Sequence, residues 1–171
     1  MLFRSVSVAA TDSGGAVAQL AMSVTVTDEA EPGRTINGTN GRDTLTGTSG
    51  PDVIHGRNGP DTILAGDGND RVFGNNGADT LVGGRGDDRL AGGDGPDTFV
   101  FGPNFGNDVI TDFDRNDVIS FDHTIFDSFA DVMAAAHREG HNTVITVDAS
   151  NTLTLQEVLP SQLHANDFMF V

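Results

Sequence analysis

The sequence predicts a mainly all-β chain: a solenoid of stacked repeats, preceded by a β-hairpin and closed by a small α+β cap. Three observations carry that expectation. The chain has a nine-residue period; a glycine and an aspartate recur in every period; and one apolar residue holds a constant place in each. Written in nines from Gly38, it reads GTNGRDTLT, GTSGPDVIH, GRNGPDTIL, AGDGNDRVF, GNNGADTLV, GGRGDDRLA and GGDGPDTFV, ending at Val100 with no gap between units.

The first element is the hairpin, over residues 5–27. SVSVAA and AQLAMSVTV alternate, with Leu20, Met22, Val24 and Val26 on one face, and Thr11-Asp12-Ser13-Gly14-Gly15 supplies the turn. A hairpin alone is marginal in water. The stretch VAATDSGGAVAQLAMSVTVTDEAEP resembles the last two strands of a cadherin-like or other immunoglobulin-like bacterial repeat, and a hairpin capping the solenoid is the alternative. Asp28-Glu29-Ala30-Glu31-Pro32-Gly33 reads as a linker. The expected organisation is therefore 1–33 for hairpin and linker, 34–121 for the solenoid and 122–171 for the cap.

Within the solenoid each column has a physical reading. The fourth position is glycine in every unit (Gly41, Gly50, Gly59, Gly68, Gly77, Gly86, Gly95), as a turn with positive φ requires. The eighth is always apolar (Leu45, Ile54, Ile63, Val72, Leu81, Leu90, Phe99). Positions seven to nine read as a short strand whose middle residue points inward. One unit is then a turn plus a strand, and two units make a coil. Odd units stack into one sheet and even units into the other.

The sixth column is aspartate throughout: Asp43, Asp52, Asp61, Asp70, Asp79, Asp88, Asp97. Residues one coil apart stack at about 4.8 Å, the spacing of neighbouring strands. Bare carboxylates that close repel, so a cation between them is nearly demanded. The chain has no cysteine and no regular histidine column, so the available ligands are carboxylates and turn carbonyls. An all-oxygen cage of this kind favours calcium over magnesium.

These residues resemble the calcium-binding nonapeptide GGxGxDxUx of the repeats-in-toxin (RTX) proteins, over residues 38–100. The resemblance implies a right-handed parallel β-roll with calcium between turns of successive coils. Ions are then expected between Asp43 and Asp61, Asp61 and Asp79, and Asp79 and Asp97 on one edge. On the other they lie between Asp52 and Asp70, and Asp70 and Asp88, for about five internal sites with more at the ends. Ala65, Thr39, Thr48 and Arg57 depart from the pattern at its first two positions, which weakens the early sites. A disordered linker would not place an aliphatic residue every ninth position, and a phosphate loop would need a lysine or helix start after its glycines. Arg85-Gly86-Asp87 and the sequon at Asn37-Gly38-Thr39 both fall out of the repeat columns.

After Val100 the period breaks. Gly106-Asn107-Asp108-Val109-Ile110 reads as an eighth unit delayed by two inserted residues, adding Asp108 to the candidate ligands. ITDFDRNDVISF resembles the acidic segment that closes many RTX domains and makes Asp112 and Asp117 end-site candidates. Residues 128–139 read as a helix capped by Ser128 and Asp131, stopped by Gly140, with Phe129, Val132, Met133 and Ala136 on its apolar face. NTVITVD and NTLTLQEV follow as a hairpin. The outward stripe Leu64, Val82, Val100 on the odd sheet is expected to be covered by the cap or by a second copy.

A net charge of −16 and a pI near 4.2 argue against nucleic acid and anionic membranes as partners. No run approaches the roughly 20 apolar residues of a membrane span, and MLFRSVSVAA is too short an apolar start for a signal peptide. The RTX resemblance implies secretion from a Gram-negative bacterium, to the medium or the cell surface. The ending Asp167-Phe168-Met169-Phe170-Val171 resembles the C-terminal signal read by a type I secretion exporter. No HExxH, GxSxG or other catalytic constellation is present, and the five histidines share no ligand spacing. The expected function is thus a secreted, non-catalytic calcium-binding module that folds after export. The alternative is the support and secretion region of an exported protease, lipase or alginate epimerase, or of a surface adhesin, with a passenger domain upstream.

Overall fold

A computed structural model of the chain describes residues 31–171. The hairpin expected over 5–27, and the cadherin-like resemblance it carries, lie outside the described residues.

Ten strands build the roll: β1 (Thr35–Asn37), β2 (Thr44–Thr46), β3 (Val53–Asn58), β4 (Thr62–Asp67), β5 (Arg71–Asn76), β6 (Thr80–Arg85), β7 (Arg89–Asp94), β8 (Thr98–Phe101), β9 (Asn107–Ile110) and β10 (Val118–Phe121). They alternate between two sheets. One runs β1-β3-β5-β7-β9 and the other β2-β4-β6-β8-β10, all parallel. Pairing follows the eighteen-residue step, with Ile54 opposite Val72 and Ile63 opposite Leu81. Odd and even units therefore separate as the columns require.

The eighth position is the core. Ile54, Ile63, Val72, Leu81, Leu90 and Phe99 are all fully buried. Strands β3 to β7 run to six residues, because pairing continues into the next turn: Gly66 lies opposite Gly84, and Asn75 opposite Gly93. The first position of the following unit also points inward, and Ala65 is fully buried there.

Two features extend the roll beyond the seven units. Thr35-Ile36-Asn37 forms a strand in register with Val53-Ile54-His55, and it puts Arg34 in the column that aspartate fills elsewhere. At the other end, a loop containing the buried Phe105 absorbs the two-residue insertion, its ring 5.2 Å from that of Phe101. Beyond it Arg89 pairs with Val109 and Thr98 with Val118, so both sheets resume with a twenty-residue step. Asn116-Asp117-Val118-Ile119-Ser120 is therefore a ninth unit rather than only an acidic tail.

The cap corrects two expectations. The helix α1 spans Phe129–Ala135, and residues 136–139 form strand β11 (Ala136–Glu139), antiparallel to β12 (Asn142–Thr146). Gly140, at φ +63°, makes the two-residue hairpin turn between them instead of stopping a helix. Ser128 does cap the helix, accepting the Asp131 N–H at 3.3 Å and donating to its carboxylate at 2.6 Å. The second correction concerns placement. β13 (Thr152–Leu155) pairs with β9, and β14 (Phe168–Phe170) pairs with β10, so the cap continues both sheets from the end of the roll. Leu64 stays 40 % exposed on the odd sheet, which the cap does not cover at that point. The last coil presents unpaired strand edges, and those are what a solenoid must close. The C-terminal strand is itself one of the closing pieces.

Candidate metal centre

Each sixth-position aspartate sits where a turn enters a strand, which places its carboxylate under the turn and inside the coil. The backbone then links these side chains into two ladders. On one edge the N–H groups of Asp43, Asp61, Asp79 and Asp97 donate to Oδ1 of Asp61, Asp79, Asp97 and Asp117, at 2.7–2.9 Å. On the other, the N–H groups of Arg34, Asp52, Asp70 and Asp88 donate to Oδ1 of Asp52, Asp70, Asp88 and Asp108, at 2.5–2.9 Å. From Asp52 to Asp117, one oxygen of each of these carboxylates is thus bound by the backbone of the preceding coil.

The second oxygen is the notable one. Oδ2 of Asp61, Asp70, Asp79, Asp88, Asp97 and Asp108 is buried and has no hydrogen-bond partner, although these residues are at most 2 % exposed. Leaving a buried carboxylate oxygen unpaired is costly. Desolvation by burial pushes all six carboxyls up, to about 6 for Asp70 and Asp97, about 7 for Asp88 and about 8 for Asp108. The N–H bonds from the preceding coil oppose that rise, and the charge of the stacked aspartate adds to it. Without a positive partner the row holds its charge poorly.

The space beside these oxygens fits a small hard cation. A methyl built on Gly56 would lie 2.6 Å from both Asp61 Oδ2 and the Gly74 carbonyl oxygen. One built on Gly74 would lie 2.5 Å from both Asp79 Oδ2 and the Gly92 carbonyl. Carboxylate and carbonyl oxygens from successive coils therefore converge on one small cradle at Asp61 and Asp79, kept open by the first-position glycine; beside Asp70 that position is Ala65. The donor set is all oxygen, as hard cations require. Among the described residues no group of three histidine, cysteine or acidic side chains converges, so backbone carbonyls must complete any coordination shell.

The fourth-position glycines are structural to this arrangement. Gly59, Gly68, Gly77, Gly86 and Gly95 all have positive φ and each packs on the equivalent glycine one coil earlier. At Gly59 (φ +105°) an added Cβ would come within 2.8 Å of the Gly41 carbonyl carbon. Gly41 and Gly50 are not left-handed, and nothing lies within 4 Å of a Cβ built on Gly41.

The remaining candidates differ from the six. Oδ2 of Asp43 accepts from the Thr39 N–H and hydroxyl at 2.6 and 3.0 Å, and Oδ2 of Asp52 does the same with Thr48 at 2.6 and 3.0 Å. Asp112 is held by the N–H groups of Gly92 and Gly93, and Asp117 Oδ2 accepts the Asp114 N–H. His55 lies on the outer face, stacked on Phe73 at 4.7 Å. The second position was visible in the sequence only as a departure from glycine; the hydroxyl bonds it makes depend on the turn's conformation.

The same repeats occur in known proteins. The profile of the RTX calcium-binding nonapeptide repeat (4 copies) matches residues 37–72 and 64–99. No curated protein matches the chain. Among solved structures, the AlgE6R2 subunit of the Azotobacter vinelandii mannuronan C5-epimerase is similar, with a TM-score of 0.58 and 28% identity over 74% of this chain and 91% of that one. The AlgE6R3 subunit of the same enzyme is 30% identical over 77% and 79% of the two chains, with a TM-score of 0.46. The extracellular lipase LipA of Serratia marcescens is 16% identical, with a TM-score of 0.47, over 84% of this chain and 41% of the lipase.

Proposed function

Because this chain belongs to the RTX calcium-binding nonapeptide-repeat family, we propose that it is a secreted, non-catalytic module whose roll folds as it binds calcium. The observation that carries this reading is the set of six buried, unpartnered Oδ2 atoms at Asp61, Asp70, Asp79, Asp88, Asp97 and Asp108. These side chains would hold the ions, with turn carbonyls from adjacent coils. When bound, calcium supplies the positive charge that the row of buried carboxylates lacks. Anything that binds only the folded state stabilises it by linkage. In a low-calcium cytosol the carboxylates favour an unfolded, exportable chain; outside the cell they favour the roll.

The export step rests on the C-terminal residues, with Asp167 ahead of β14. The same residues pair with β10, so the signal would be available before folding and covered afterwards. Coexpression with a type I exporter tests this part, since a chain lacking 158–171 should stay in the cell. The AlgE6R2 likeness favours a second reading, in which the module supports an exported enzyme upstream. Equilibrium dialysis tests the main proposal. Several calcium ions should bind per chain and resist a large excess of magnesium. A chain that takes up neither ion, or both alike, would contradict it.

A further inference from the structure

The two ladders do not begin as they continue. In the later turns, position two is left-handed: Arg57 (φ +81°), Gly66 (+114°), Asn75 (+74°), Gly84 (+108°) and Gly93 (+97°). Thr39 and Thr48 hold the same position in the first two units and are not left-handed. A β-branched residue is a strong outlier at positive φ. Threonine therefore selects a closed turn in which its own N–H and hydroxyl meet the aspartate four residues on. Two neutral donors fill the carboxylate oxygen that stands bare in the later units. Each threonine hydroxyl also takes part in its turn, accepting the N–H of Gly41 at 3.3 Å or Gly50 at 3.1 Å.

The start of the even edge is closed in a further way. The position one coil before Asp52 holds Arg34, whose N–H makes the ladder bond that an aspartate makes elsewhere. No carboxylate is present there to form a pair with Asp52. The first turns thus lack both the bare oxygen and, on one edge, the facing acid.

We propose that the first coil, built from the units at Gly38 and Gly47, is a calcium-free cap in which Thr39 and Thr48 replace the cation. Metal binding then begins one coil later. Four pairs have bare oxygens on both members: Asp61 with Asp79, Asp79 with Asp97, Asp70 with Asp88, and Asp88 with Asp108. Relative to the columns of the sequence, the sites between Asp43 and Asp61 and between Asp52 and Asp70 are lost. A site between Asp88 and Asp108 is gained across the insertion, where the ladder bond at 2.9 Å is intact. The cap fits the general need of a solenoid for atypical terminal repeats. A threonine N–H and hydroxyl on the same turn satisfy the aspartate oxygen without an ion.

This inference rests on the calcium reading of the repeats, and the test separates the two. Bound calcium per chain is counted by native mass spectrometry for the wild-type chain, for T39G/T48G and for T39S/T48S. The wild type should hold four ions, T39S/T48S should hold the same number, and T39G/T48G should gain up to two. A wild-type count of five or more, or a T39G/T48G count no higher than wild type, overturns the cap. A wild-type chain that binds no calcium overturns the calcium reading itself.

Discussion

Leu81 lies at the centre of the roll, fully buried, with Ile63 and Phe99 as its neighbours one strand to either side. Leu81→Ala should therefore cost about 2–5 kcal/mol, the range for deleting a buried leucine side chain. If folding is linked to roughly four ions in one cooperative step, that loss is recovered by raising free calcium, with the gain growing as about four times RT times the logarithm of concentration. The calcium midpoint of folding should then rise by about twofold to eightfold. Leu64→Ala on the outer face is the control. Leu64 is 40 % exposed, so a cost within about 0.5 kcal/mol would move the midpoint by less than about 1.3-fold. Far-UV circular dichroism in calcium–chelator buffers reads both midpoints. Equal midpoints for the two variants, or a lower plateau for Leu81→Ala with an unmoved midpoint, would refute the coupling of core to metal.

Position along the ladder should matter as well. Asp70→Ala removes an unpartnered oxygen and the bond to the Asp52 N–H, so its calcium midpoint should rise more than that of Asp43→Ala in the same titration. Gly86→Ala places a Cβ at φ +130° against the Gly68 carbonyl. It should destabilise the calcium-loaded roll by about 1–3 kcal/mol, read as a lower thermal midpoint, whereas Gly41→Ala should change little. In chelator the pH dependence follows from Asp88 and Asp108, raised to about 7 and about 8 by burial. Protons bind them more tightly in the roll than in the unfolded chain, whose aspartates titrate near 3.8. The metal-free roll is thus favoured below about pH 4 and loses that contribution as pH rises towards 8. More β-signal at pH 5 than at pH 8 is expected without calcium, and proton release on calcium addition at pH 7.

The nine-residue columns were enough to read the two sheets, their register and the buried eighth position, because each column obeys one steric rule repeated many times. The delayed unit at Asp108 was legible for the same reason. What escaped depended on contacts outside the period. Thr39 and Thr48 appeared only as departures, since their hydroxyl bonds arise from a turn whose φ is set by the β-branch. Ala136-His137-Arg138-Glu139 reads as helix by local preference, yet the Gly140-His141 turn folds it back as a strand against residues 142–145. The odd-sheet stripe was expected to be covered by the cap or by a second copy; the cap instead meets the end of the roll, where unpaired backbone outweighs a partly exposed apolar face.

The central claim is that the roll exists as a folded structure because calcium occupies its buried carboxylates. Amide hydrogen exchange over Thr62–Phe101, followed in excess chelator and again after calcium addition near neutral pH, tests it most directly. The account predicts rapid exchange without calcium, and cooperative protection of β4 to β8 within a single transition when calcium is added. Strong protection of those strands in chelator, unchanged by calcium, would contradict it.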